Sequence, residues 1–355
     1  MPKLRRYLYW LILGICAAVL IVACDRQTDL KGDRSISNSE FCRLVSHEMG
    51  ETEICETARC AGSPRWRDCR GRGQPQKVVA LSPHILDSML ALGVQPVAYA
   101  ESEDRKIQIY DNPTEQIPYI GKWVTTKPTG LGDRKSPSLE RLTLIEPNLI
   151  LGEKWLHKDE YPLLSQISPT LLFSDEQSDG QQVWQEDIRG IAKALGREAQ
   201  AKELLAAFDQ QIAQARAALQ PVLQTYPRVL LIESNLTTYL ASRPESTTAR
   251  LLREIGFEIV QPPGVQDYAE ISWEILPQIE TDIILVLSWS DDHFSNPEAT
   301  LRRKWANNPL LNSMPVFQQE RVYFVDYQLW GSNIRGPLTD RLILEALPDL
   351  LFNSK

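Results

Sequence analysis

Residues 182–220 contain no proline, although the chain has 23 prolines in 355 residues. The stretch is rich in Ala, Leu, Gln and Glu. Ile188, Ile191, Ala192 and Leu195 recur in it at helical spacing. Gly196-Arg197 is its one interruption. The pattern predicts one long helix, kinked near Gly196 and up to ~55 Å long at 1.5 Å per residue. The segments on either side are of another kind.

Before it, Lys77-Val78-Val79-Ala80-Leu81 reads as a buried strand. Ser82 suits a helix cap and Pro83 a first helical residue. A helix over 84–92 then ends at Gly93. Strands follow at 96–100, 148–152 and 170–174, and helices at 136–144 and 160–167, while 101–135 reads mostly as loop. Beyond Pro227 the alternation returns, with strands at 228–233, 282–289 and 321–326. The helices there are 247–255, a short one at 273–279 strained by Pro277, and 337–351. Alternation of this kind builds parallel sheets covered by helices. The expected fold is α/β: two lobes with mainly parallel sheets flanked by helices, joined by one long helix. The lobes span 77–180 and 221–355, with the connecting helix at 181–220. No internal repeat of 20–50 residues is present.

The N-terminus carries Lys3, Arg5 and Arg6, then an apolar run that closes on Leu20-Ile21-Val22-Ala23-Cys24. A charged start, a short apolar core and small residues before a cut describe a secretory signal. Residues 7–22 are short for the ~20 that a spanning helix needs. With cysteine at the cut, the pattern resembles a bacterial lipobox, which implies a signal peptide over 1–23 and a lipid on Cys24. Removing 1–23 takes three of the 38 Lys+Arg and none of the 46 Asp+Glu, so the net charge moves from −8 to −11. That balance argues against nucleic acid as a partner. Residues 24–40 are polar and read as a tether. Residues 41–76 are Cys-rich, with Cys42, Cys55, Cys60 and Cys69, and too poor in apolar residues for a core. Four cysteines in an exported chain predict disulfides. Three pairings are open; Cys42–Cys55 with Cys60–Cys69 is favoured because both loops are short. Zinc is disfavoured, because there is no C-x2-C and the spacings fit no zinc pattern.

Four stretches resemble one family, the iron-siderophore and vitamin B12 substrate-binding proteins of bacterial ABC importers. Val78-Val79-Ala80-Leu81-Ser82-Pro83 is similar to the first strand and turn. Ser138-Leu139-Glu140-Arg141-Leu142, followed by Ile145-Glu146-Pro147-Asn148-Leu149-Ile150-Leu151, is similar to the next helix and strand. Ile271-Ser272-Trp273-Glu274-Ile275-Leu276, with Thr281-Asp282-Ile283-Ile284-Leu285-Val286, is its counterpart in the second lobe. Val322-Tyr323-Phe324-Val325-Asp326, with Trp330 and Gly336-Pro337, is similar to the closing strand and helix. Upstream, residues 42–52 look like the opening hairpin of the iron-siderophore binders, whereas 56–76 departs from that pattern. The resemblance implies a ligand cleft between two rigid lobes. It also implies that Glu140 and Glu274, one per lobe, dock on the arginines of a permease dimer.

A ferric siderophore calls for aromatic walls and a few cations, and α/β lobes present such groups after their strand ends. Trp123 follows Tyr119-Ile120-Gly121-Lys122, and Lys154 and Trp155, preceded by Glu153, follow the strand at 148–152. Asn235, Tyr239 and Arg243 follow 228–233, Trp289 ends 282–289, and Trp330 and Arg335 follow 321–326. These are the expected ligand-binding residues, although any one such tryptophan could instead pack in a core. The expected function is an extracytoplasmic lipoprotein, membrane-anchored or periplasmic, that delivers a ferric siderophore to an ABC importer. It needs no cofactor and is not an enzyme. A cobalamin or haem binder, or an exported chelatase-like enzyme on the same scaffold, is the alternative. His47, His84, His157 and His293 show no metal-ligand spacing. No P-loop, dinucleotide fingerprint or nucleophile elbow is present either.

Overall fold

The computed structural model describes residues 42–55, 74–101, 107–173, 184–234, 239–241, 246–262, 269–288, 297–331 and 336–352. The expected lipid site Cys24, the cysteines Cys60 and Cys69, and Asn235, Arg243, Trp289 and Arg335 lie outside these residues.

Strands β1 (Cys42–His47) and β2 (Gly50–Cys55) form a two-stranded sheet across a tight turn. The first lobe holds five parallel strands, β3 (Val78–Ala80), β4 (Ala98–Glu101), β5 (Thr129–Asp133), β6 (Leu149–Glu153) and β7 (Thr170–Phe173), in the order β5-β4-β3-β6-β7. Its helices include α1 (Pro83–Ala91), α2 (Leu139–Ile145), α3 (Lys154–His157) and α4 (Tyr161–Ile167), besides a single turn at Pro113–Gln116. Ser82 caps α1 as the sequence predicts, and α2 starts three residues later than expected, capped by Ser138; each side chain accepts from a backbone N–H three residues on, at 3.3 Å.

The proline-free stretch makes two helices rather than one, α5 (Trp184–Leu195) and α6 (Glu198–Ala218). Gly196 adopts φ +66°, its N–H bonds to Lys193 O, and the Arg197 N–H bonds to Ala192 O at 2.8 Å. This is a Schellman termination, which glycine adopts without the Cβ clash of a left-handed residue. At 21 residues, α6 is only ~31 Å long.

The second lobe contains β8 (Arg228–Ser234), β9 (Tyr239–Ala241), helix α7 (Thr247–Ile255), β10 (Glu258–Val260), β11 (Ala269–Glu270), β12 (Ile283–Ser288), α8 (Pro297–Ala306), β13 (Val322–Asp326), α9 (Tyr327–Trp330) and α10 (Pro337–Phe352). Parallel β8, β12 and β13 form its spine. On the far side of β8, parallel β10 pairs with its first half and antiparallel β9 with its last three residues. The expected helix at 273–279 is a 3-10 helix over 273–278 with Pro277 inside it. A proline there has no N–H for an α-helical bond. Strand β5 lies where the sequence reads as loop, because Thr129-Gly130-Leu131-Gly132-Asp133 has little strand propensity of its own.

Both sheets alternate strictly between two cores. Val78, Ala80, Leu149, Leu151, Val229, Leu231, Ile283 and Leu285 face one continuous cluster, filled by α1, α5, α6, α7 and α10. Val79, Leu81 and Ile150 face a second cluster with Leu142 and Leu164, and Leu230, Ile232, Ile284 and Val286 a third with Leu301 and Trp305. Strands buried on both faces read as unbroken apolar runs, which is why the sequence shows them clearly. The shared helical layer makes the largest core common to both lobes.

Candidate functional site

Parallel register lines up the strand ends. In the first lobe Glu101 lies opposite Asp133 and Glu153 opposite Phe173, with Ser82 just past β3. In the second lobe Ser288 lies opposite both Ser234 and Asp326. Each sheet therefore carries a row of polar groups at the edge where α/β lobes place their ligands. Ser82, Glu101, Arg134, Glu153, Glu233, Ser234 and Ser288 of these rows are buried.

The first row is a connected network. The buried His157 ring is pinned on both sides: Nε2 lies 2.8 Å from Arg134 O, and Nδ1 accepts from the Glu153 N–H at 3.1 Å. Burial lowers the His157 pKa below its ordinary value, and the neighbouring Glu153 charge only partly offsets this. Nδ1 also lies 3.0 Å from Glu153 O, so the ring is held between backbone groups on both sides. The Trp155 indole N–H donates to Glu153 Oε2 at 2.6 Å, and the Arg134 guanidinium lies 5.4 Å from the Trp155 ring. Burial would push the Glu153 carboxyl up, but the charges of His84 and Arg134 and hydrogen bonds from Ser82 and Trp155 outweigh it and hold the group below its usual range. His84 in turn lies 3.0 Å from Asp187 of α5. The result is a fixed, ionised carboxylate beside a cation and an aromatic face. It suits recognition by hydrogen bonds and cation–π contact. Among the described residues no cluster of His, Cys, Asp or Glu could hold a metal ion.

Three expected ligand residues fall differently. Trp330 is 4 % exposed and belongs to the shared core, and its carbonyl accepts from the Thr248 hydroxyl. The short helix α9 turns its indole inward, where burial of a ring of that size stabilises most. Trp123 is half-buried, with Lys122 Nζ 4.3 Å from its ring, and its carbonyl accepts from Gln95 at 3.0 Å. Gln95 precedes β4, so Trp123 is tied to the end of that strand opposite Glu101. Lys154 pairs with Glu48 at 3.3 Å and braces the N-terminal hairpin. Trp155 stands in the polar row, and Tyr239 opens β9, opposite Ser234 at the end of β8. Arg134, Glu101, His84 and His157 do not stand out as ligand residues in the sequence. For Glu101 and Glu153 the signal is a charged residue at the last position of an apolar strand run; Arg134, just past β5, and the helical His84 and His157 carry no such signal.

The two lobes also touch at the second row, where the Tyr119 hydroxyl donates to the Asp326 carboxylate. Glu140 in the first turn of α2 and Glu274 in the 3-10 helix are both exposed. A hydrogen bond from Ser272 holds the Glu274 carboxyl below its ordinary value.

The family model described as periplasmic binding protein matches residues 78–329, and the chain belongs to that family. The Fe(3+)-citrate-binding protein YfmC of Bacillus subtilis is 24 % identical over 323 residues, covering 91 % of this chain and 90 % of its own. The Fe(3+) dicitrate-binding periplasmic protein FecB of Escherichia coli is 23 % identical over 265 residues, covering 74 % and 80 %. Among solved structures, Staphylococcus aureus SirA complexed with staphyloferrin B superposes with a TM-score of 0.65 at 20 % identity, covering 87 % of this chain and 98 % of that one.

Proposed function

We propose that this protein captures a ferric siderophore between its two rows of strand-end polar groups and delivers it to an ABC importer, acting from outside the cytoplasm. The observation that carries this reading is the Arg134–Trp155–Glu153 constellation, held rigid on the strand ends of a binding-protein fold. Relatives named for ferric citrate support the choice of ligand class. A lipid on Cys24 would tether the protein to a membrane surface, consistent with its lipobox-like sequence. Disulfides among Cys42, Cys55, Cys60 and Cys69 remain the expectation from their even number in an exported chain. The role is binding, not catalysis.

Ferric citrate and other iron-loaded chelates should quench tryptophan emission with micromolar or tighter Kd, about −8 kcal/mol or better. Cobalamin and haem should not. Quenching by cobalamin or haem alone would move the protein to the alternative ligand class.

Glu140 and Glu274, one on each lobe, suit a two-point dock on a paired permease. Paired surface charges set orientation more than affinity. The double variant Glu140→Ala/Glu274→Ala should bind ferric citrate like wild type and fail to support uptake. Wild-type uptake would remove the docking role.

A further inference from the structure

Asp87 lies in the second turn of α1, in the first lobe, with no exposed surface. Its carboxylate accepts from the Leu338 N–H, the Thr339 N–H and the Thr339 hydroxyl, each at 2.9 Å. These are the first-turn donors of α10, in the second lobe and about 250 positions along the chain. Free amides at a helix start need acceptors and favour a negative charge. Here a helix of one lobe receives its cap from the other. The contact is close: a Cβ at Gly336 would lie 2.3 Å from Asp87 Cγ, so the glycine before α10 is a condition of the approach. Two further bonds run alongside. The Trp184 indole N–H donates to Asp340 at 2.7 Å, and His84 meets Asp187.

We propose that Asp87 is a positioning residue that sets the register between the lobes, and through it the separation of the two polar rows. The effect on ligand rests on the reading of those rows as the ligand site. A surface contact could slip by an ångström, but a carboxylate shared by two adjacent amides and a hydroxyl fixes both the position and the direction of α10.

The test uses three variants of the full chain. Asp87→Asn keeps the shape but places an amide donor against donors. Gly336→Ala pushes a methyl group into the same carboxylate from the second lobe. Thr339→Val removes the hydroxyl, which meets Asp87 at 2.9 Å and Gly336 O at 3.0 Å, but leaves both backbone bonds to Asp87, and it carries the test if Asp87→Asn does not fold. In each, amide exchange at 336–342 should quicken at least tenfold while β3 and β6 keep wild-type protection. The radius of gyration should rise, and ferric citrate should dissociate at least fivefold faster. Faster exchange at 336–342 with unchanged scattering would overturn the proposal, and so would exchange that quickens uniformly in all elements. If wild type does not bind ferric citrate, the ligand assignment falls, and scattering of the variants alone decides on Asp87.

Discussion

Arg134→Ala should lower the melting temperature by roughly 10 °C. Arg134 is 8 % exposed, beside Glu101 and Glu153 at 2 % and 5 %. Its charge is one of the influences that hold Glu153 ionised. Removing one partner from a buried charged group leaves the other uncompensated, at a cost of about 3–5 kcal/mol. Each kcal/mol moves the melting point by about 2–4 °C in a domain of this size. The pH profile identifies the cause. A carboxyl held below its ordinary value stabilises the fold above the unfolded value, and that stability is lost as pH falls through the folded value. Without Arg134 the Glu153 value rises, so acid unfolding should begin at higher pH. Arg134→Lys should restore most of the acid resistance but not the flat contact with Trp155. A melting point within 2 °C of wild type for Arg134→Ala would show that Glu153 is balanced by other groups.

The second large effect has the opposite sign. Burial raises Asp87 from 3.8 to about 6, and the bonds from Leu338 and Thr339 and the charge of His84 limit the rise. The folded chain then holds a proton that the unfolded chain has already released. This contribution is full below pH ~4 and is lost as pH rises through about 6. A rise of this size contributes at most about 3 kcal/mol. Urea unfolding at pH 7 and pH 5 should show a wild-type gain on acidification that is absent from Asp87→Asn. Equal gains in both would assign the acid response to other groups. Taken with Glu153, stability should peak in mild acid and fall on further acidification.

Most of the parallel architecture was legible, because strands buried on both faces advertise themselves. The helix expected at 247–255 and the strands near 78, 149, 228 and 283 stand within a residue or two of their predicted places. The short strands β9, β10 and β11 were not, since two- and three-residue pairings depend on the neighbouring strand rather than on local pattern. For the site, sequence favoured exposed-looking aromatics and cations after the strands. Trp330 shows the weakness of that rule: a tryptophan a few residues past a strand end can fold back into the core. The buried Glu101 closes an apolar run and looks like its boundary, and Arg134 follows the glycine-rich β5, which reads as loop. Only the register shows that such boundaries line up from strand to strand.

The core shared by both sheets carries a mechanical consequence. Leu231 and Leu285 of the second sheet and Ala80 and Leu151 of the first share a single apolar interior with α1, α6 and α10. Swinging the halves wide apart would tear that interior open to water at roughly 25 cal/mol for every Å² bared. Wide opening of a molecule built this way is therefore costly. On the proposed reading, the protein would take up its ligand with a small flexure, and release would need the lobes to be spread by a partner.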